Sequence, residues 1–215
     1  MRSVPVTRYT VSDVMTHTAV AIGRDAPYKE IVALLDQWKV SALPVLEGEG
    51  RVVGVVSEAD LLPKEEFRLD TPRPGASGEA AKAGALRAGE LMSSPAVTVH
   101  ADATLAEAAR IMAIRRVKRL PVVNDIGMLE GVVSRSDLLK VFLRSDGEIE
   151  EEIRRSVLGE SAAPAELDVS VSEGVATLRG VIADRSPVPL LARAVRAVEG
   201  VVDVRLDLDA RTDAS

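Results

Sequence analysis

The chain contains no cysteine, which excludes disulfides, thiol catalysis and thiolate-bound metal. Aromatic residues make up only 2% of the 215 positions against 47% apolar residues overall, so its cores must be aliphatic. It has two histidines, His17 and His100, too few to build a metal cluster by themselves. No segment approaches the ~18 consecutive apolar residues of a membrane helix. The opening "MRSVPVTRYTVSDVM" lacks the uninterrupted apolar stretch of a signal peptide. A soluble, cytoplasmic protein is the expectation. The chain also has no excess of positive charge. Residues 1–146 hold 19 acids and 19 bases, and residues 147–215 hold 14 acids and 8 bases, so the net charge of −6 belongs to the tail. An acidic tail repels phosphate backbones and anionic head groups; nucleic acid is therefore not an expected partner, and a membrane surface is disfavoured.

What the chain does have is a repeat. "GVVSEADLL" at 54–62 returns as "GVVSRSDLL" at 131–139, seven letters of nine at an offset of 77. The offset holds elsewhere: Asp13-Val14-Met15 maps onto Glu90-Leu91-Met92, Asp25-Ala26-Pro27 onto Asp102-Ala103-Thr104, and Leu43-Pro44-Val45 onto Leu120-Pro121-Val122. A fixed register of this length marks an internal duplication, and two copies suggest similar units related by a pseudo-twofold axis.

Each copy reads alike. Thr10 and Asp13 form a capping-box pattern before a short strand, "TAVAI". Tyr28, Ile31, Val32, Leu35 and Trp38 fall at helical spacing behind Pro27. "ALPVLE", a "GEG" turn and "RVVGVV" make a hairpin, and Ser57 opens a helix. The second copy runs "AVTV" strand, Leu105–Met112 helix, "LPVV" and "LEGVV" strands, then the helix "SRSDLLKVFL". Between the copies, residues 63–86 are rich in Pro, Gly, Ala and Ser and read as a linker, with a possible helix in "GEAAKAGALRA". After about residue 147 the pattern changes: Ile149, Ile153 and Val157 form a helical stripe, "LDVSVSEGVATLRGVI" a hairpin, Leu190, Leu191, Ala194, Val195 and Val198 a second helix, and "GVVDVRLDLD" a last strand.

The repeat resembles the CBS domain. The resemblance rests on "DVM" and "ELM", "LPV" at 43–45 and 120–122, and the two "GVVSxxDLL" endings. It covers residues 10–62 and 87–143. The tail, 147–209, resembles the BON domain through "VSVSEGVATLRGVI" and "VEGVVDVRLDLD". The implied class is α+β: a pseudo-twofold CBS pair of β-α-β-β-α units followed by a small αββαβ domain. The resemblance implies a regulatory module that binds an adenine nucleotide (AMP, ADP or ATP), requires no cofactor and forms a homodimer. Its output would go to a protein partner not named by the sequence.

Two accounts fit Ser57-x-x-Asp60 and Ser134-x-x-Asp137. A serine that ends a strand and opens a helix is an N-cap, and an acid three residues on completes a capping box. The same geometry offers a phosphate the free amides of a helix start and a ribose two carboxylate acceptors, the roles implied for these residues in CBS modules. The copies differ nearby. Lys118 and Arg119 replace Ser41 and Ala42 and are candidates to neutralise ligand phosphates. Arg115 and Arg116 are explained equally well by the end of a helix. The basic pair is expected to serve the cleft of Asp137, so that Asp137→Ala weakens binding more than Asp60→Ala; if each cleft borrows from the other copy, the pair serves Asp60 instead. Val40, Pro44, Val117 and Pro121 are candidate apolar walls for an adenine, or simple core. Gly48-Glu49-Gly50 lacks the third glycine of a dinucleotide fingerprint, and no nucleophile–base arrangement is visible, so an enzyme is not expected. The alternatives are a dimerising scaffold without ligand and a phospholipid-associated protein acting through its tail.

Overall fold

The computed structural model describes residues 9–66, 84–159, 167–182 and 186–210. The chain divides into two compact units, Thr10–Arg135 and Met1–Tyr9 with Ser136–Ser215.

The first unit opens with α1 (Val11–Val14), β1 (Ile22–Gly23), α2 (Tyr28–Trp38), β2 (Ala42–Glu47), β3 (Arg51–Ser57) and α3 (Glu58–Glu66). It continues with α4 (Ala88–Leu91), α5 (Leu105–Arg115), β4 (Arg119–Val123) and β5 (Leu129–Ser134). The repeat is visible in fine detail. α2 ends at Lys39 with φ 51°, and α5 ends at its repeat equivalent Arg116 with φ 56°, a left-handed residue that lets the chain leave the helix. Both hairpins slip register at the same place, between Val45 and Leu46 and between Val122 and Val123. Pro27 stands at the N-cap of α2, one residue before the helical position expected of it.

The expected opening strands are much reduced. "TAVAI" contributes only Ile22–Gly23, parallel to Val45–Leu46, and "AVTV" only a single bridge, Val99 to Val122. The flanking backbone is used differently: each copy lends its opening turn to the other. Thr16 bridges Val132 of the second hairpin, and its equivalent Ser93 bridges Val55 of the first. Thr10 bridges Thr104, and Arg87 bridges Pro27. Arg51 bridges Met128, its own equivalent, as only residues beside a twofold axis can. The apolar core of the first copy accordingly holds Ile22, Ile31, Leu35, Leu43, Val45, Val56 and Leu61 together with Ala88 and Leu91 from the second and Ala85 just before it. Helix α3 runs through Pro63 to Glu66, past the expected start of the linker; the helix expected in "GEAAKAGALRA" lies largely outside the described residues.

This exchange explains the glycine of the repeated motif. A Cβ added at Gly131 would lie 2.7 Å from the carbonyl oxygen of Thr16, whereas one at Gly54 first meets the side chain of Met92, with Ser93 O at 3.0 Å. A backbone carbonyl held by a bridge cannot yield as a methionine can. Gly131→Ala is expected to destabilise the chain by about 1–3 kcal/mol, and Gly54→Ala by less. Urea unfolding of the two variants checks the order.

The second unit begins in α6 (Arg135–Leu138), followed by a 3-10 turn (Leu139–Leu143), α7 (Asp146–Ile153), β6 (Leu167–Ser172), β7 (Val175–Ile182), α8 (Val188–Arg196) and β8 (Asp203–Ala210). β6 and β7 are antiparallel, β7 and β8 parallel, in the order β6-β7-β8. Ser145 N–H donates to Glu148 Oε2 at 3.1 Å, and this bond to the cap amide holds the Glu148 carboxyl below its ordinary value. α7 continues as a π-helical turn, Arg154–Leu158. Its wider i→i+5 spacing carries Leu158 into the core beside Ile149 and Ile153, with the expected Val157 only partly buried against it. The hairpin turns at Glu173 and Gly174, φ 51° and 71°, the left-handed pair of a tight hairpin. Asp146 accepts from both their amides at 2.9 and 2.8 Å. In α8, Val195 is buried but Leu190, expected on the core face, is 72% exposed.

Candidate functional site

One cavity of about 320 Å³ in the first unit brings the two copies together. The first copy contributes Ser41 and Ala42 at the start of β2, Val55 and Ser57 of β3, and Glu58, Ala59 and Asp60 of α3. The second contributes Ser93, Pro95, Ala96 and Val97, and the stretch Arg116, Val117, Lys118 and Arg119 from the end of α5 to the start of β4. The hairpin register sets Ala42 opposite Ser57, so the end of one strand and the start of the other open on the same rim.

Ser57 donates both its amide and its hydroxyl to Asp60 Oδ2, at 2.9 and 2.6 Å. Thr10 and Asp13 make the same pair of bonds, 2.7 and 2.9 Å, and neither lines this cavity. The Ser-x-x-Asp pattern is therefore a helix-capping device in its own right. What distinguishes Asp60 is its place on the wall of a cavity with three cations across from it.

Of those cations, Arg116 and Lys118 are exposed and Arg119 is half-buried. Arg119 Nη2 donates to Ser41 Oγ at 2.9 Å, a bond from one copy to the other. Its Nε is buried without a hydrogen-bond partner, an unfavourable place for a charged donor. The basic pair thus lines the cavity that holds Ser57 and Asp60, whereas the sequence assigned it to the cleft of Asp137. The motif of the second copy is differently placed. Ser134 ends β5 opposite Arg119. Asp137, in α6, forms an ion pair with Lys140 at 2.7 Å and its side chain is 14% exposed. The residue equivalent to Lys140 in the first copy is Pro63.

Among the candidate apolar walls, Val117 lines the cavity. Val40 lines a separate depression with Val32, Leu35, Leu61 and Leu62. Pro44 and Pro121 are buried in β2 and β4, opposite Val55 and Val132, and act as core there. The lining residues Ser93, Pro95, Ala96 and Val97 and the bond from Arg119 to Ser41 were not anticipated from the sequence, which left Arg116 open between a helix end and a site. The two bridges to Val55 and Val132 are what bring such segments to the hairpins, and nothing in a linear pattern announces them. No group of three or more His, Cys, Asp or Glu suited to a metal occurs among the described residues, and no described helix is long and apolar enough to cross a membrane.

Residues 11–64 and 88–144 match the CBS domain family, and residues 145–211 match the BON domain family. The chain is similar to the uncharacterized protein MJ1426 of Methanocaldococcus jannaschii, 29% identical over 153 residues that span 62% of this chain and 90% of that protein. It is also similar to the chloroplastic CBS domain-containing protein CBSX2 of Arabidopsis thaliana, 29% identical over 159 residues, 66% of this chain and 67% of that one. The crystal structure of CBSX2 in complex with AMP superposes with a TM-score of 0.57 at 29% identity, covering 63% of this chain and 97% of the other. Two matched repeats and a separately matched tail place the chain in the CBS domain family, as a tandem CBS pair followed by a BON domain.

Proposed function

We propose that this chain is a regulatory protein, not an enzyme, whose CBS pair binds an adenine nucleotide of the AMP, ADP or ATP type and passes its occupancy to a protein partner. A single observation carries the reading: one cavity joins an acid at a helix start, Asp60, to the cations Arg116, Lys118 and Arg119 of the other copy. Its volume is at the lower end of small-molecule sites. Lys118 and Arg119 supply positive charge for a phosphate, and a guanidinium suits oxyanions by geometry as well as charge. Asp60 supplies carboxylate acceptors for the hydroxyls of a ribose, and Ala42, Val55, Val97 and Val117 offer apolar surface for a base. The similarity to CBSX2, whose crystal structure holds AMP, supports the same ligand class.

A cytoplasmic homodimer belongs to this reading. Val32 and Leu62, 42% and 64% exposed, share a depression with Leu35 and Leu61, rimmed by Asp36, Lys39 and Glu58, that a second copy would cover. The ligand proposal is tested by a thermal-shift panel of AMP, ADP, ATP, NAD, S-adenosylmethionine and cyclic dinucleotides. A ligand at 100 times its Kd adds about 2.7 kcal/mol of stability, and adenine nucleotides are expected to give the largest shifts. A flat response across the panel would favour a scaffold that only dimerises.

A further inference from the structure

The C-terminal sheet ends in a long open edge. β8 pairs with β7 over its full eight residues, from Asp203 opposite Val175 to Ala210 opposite Ile182. No described strand lies on its other side. Natural sheets commonly blunt such edges with prolines, bulges, short strands or charged side chains; β8 has no proline and no register shift, and its charges are of mixed sign. Its residues alternate cleanly between two faces. Val204 and Leu208 pack on the core, and Leu206 between them is 43% exposed. The other face carries Asp203, Arg205, Asp207 and Asp209.

Across the sheet the registers align Asp168, Arg179 and Asp207 in one row, acid, base, acid, with Arg179 Nε 3.4 Å from Asp207 Oδ2. A base would continue the alternation. A second β8, run antiparallel, supplies it in one register only. Pairing must keep apolar with apolar face, which limits the centre to a single residue of the strand. Centred on Arg205 or on Asp207, a charge meets its own copy. Centred on Val204, most of the strand is left unpaired; centred on Leu208, Asp207 meets Asp209 twice. Centred on Leu206, Leu206 meets Leu206, Val204 meets Leu208, and Arg205 meets Asp207 twice; the like charges Asp203 and Asp209 meet only at the two ends.

We propose that β8 is a homotypic docking edge, through which two copies of this chain join their C-terminal sheets antiparallel about a twofold axis at Leu206. Such a contact is isologous and self-limiting, and it gives the tail a binding role of its own, independent of any ligand in the CBS pair.

The absence of native cysteine makes the test direct. Residues opposite one another in an antiparallel pair have Cα atoms about 4.5–5.5 Å apart, within disulfide range. The full chain carrying Leu206→Cys is expected to form a disulfide-linked dimer under mild oxidation. Its rate should exceed that of Leu190→Cys, a position 72% exposed, by about tenfold or more, as held proximity raises effective concentration. Adding Arg205→Asp should suppress the cross-link, and adding Asp207→Arg to that variant should restore it. A rate at 206 no greater than at 190, or one indifferent to Arg205→Asp, overturns the proposal.

Discussion

Replacing Arg144 by alanine is expected to destabilise the C-terminal unit by about 3–5 kcal/mol. Arg144 has three partners within that unit. Its Nη2 lies 2.7 Å from Glu152 Oε2, with the two side chains 14% and 6% exposed. Its Nη1 donates to the carbonyl of Glu199 at 2.6 Å, and its guanidinium stands 5.4 Å from the ring centre of Tyr9. Without the arginine, a buried carboxylate loses its counter-charge, and its other oxygen, Oε1, is already buried without a partner. Truncating one member of a buried pair leaves an uncompensated charge, which costs far more than the pair itself contributes. The double replacement Arg144→Met with Glu152→Leu should therefore recover most of the loss. Arg144→Lys should fall between, because one ammonium lacks the planar fork that serves Glu152 and Glu199 together. Urea unfolding followed by circular dichroism reads all three. A loss below about 1 kcal/mol for Arg144→Ala would place the pair among solvent-screened ion pairs and contradict this account.

Arg119→Ala is expected to weaken AMP binding by tenfold or more and to leave adenosine binding unchanged. Hydrogen bonds to charged groups contribute about 1.5–3 kcal/mol, and Arg119 combines a cation with a position fixed by Ser41 Oγ. Asp60→Ala should weaken AMP and adenosine alike, since the ribose is common to both. Asp137→Ala should matter less than Asp60→Ala. The basic turn lines the cavity that holds Asp60, and Asp137 is held in an ion pair with Lys140. Calorimetric titration of the three variants with both ligands separates the roles. Equal losses of AMP and adenosine in Arg119→Ala would remove the phosphate from Arg119.

The duplication, the hairpins and the capping patterns were legible because each is written in local spacing. Thr10 with Asp13 and Ser57 with Asp60 make the bonds their three-residue separation dictates. The exchange of opening turns was not legible, since Thr16 and Val132 are far apart in sequence and neither is chemically distinctive. Its trace was present all the same in Gly54 and Gly131, which look like ordinary strand glycines until the crossing backbone is seen. Leu158 displaced Val157 because a π-helical turn breaks the period on which the stripe was counted. The candidate site was half legible: residue types announced Asp60, Lys118 and Arg119, but which copy faced which depended on the pseudo-twofold relation. Ser41, Ser93, Pro95, Ala96 and Val97 carry no chemical signature and join the candidate site only by position.

The most direct measurement of the central claim is a crystal structure of the full chain grown with AMP. The nucleotide is expected in the cavity between the copies, its phosphate within hydrogen-bonding distance of Arg119 or Lys118 and its ribose hydroxyls on Asp60. AMP bound elsewhere, or with its phosphate turned away from Lys118 and Arg119, would contradict it.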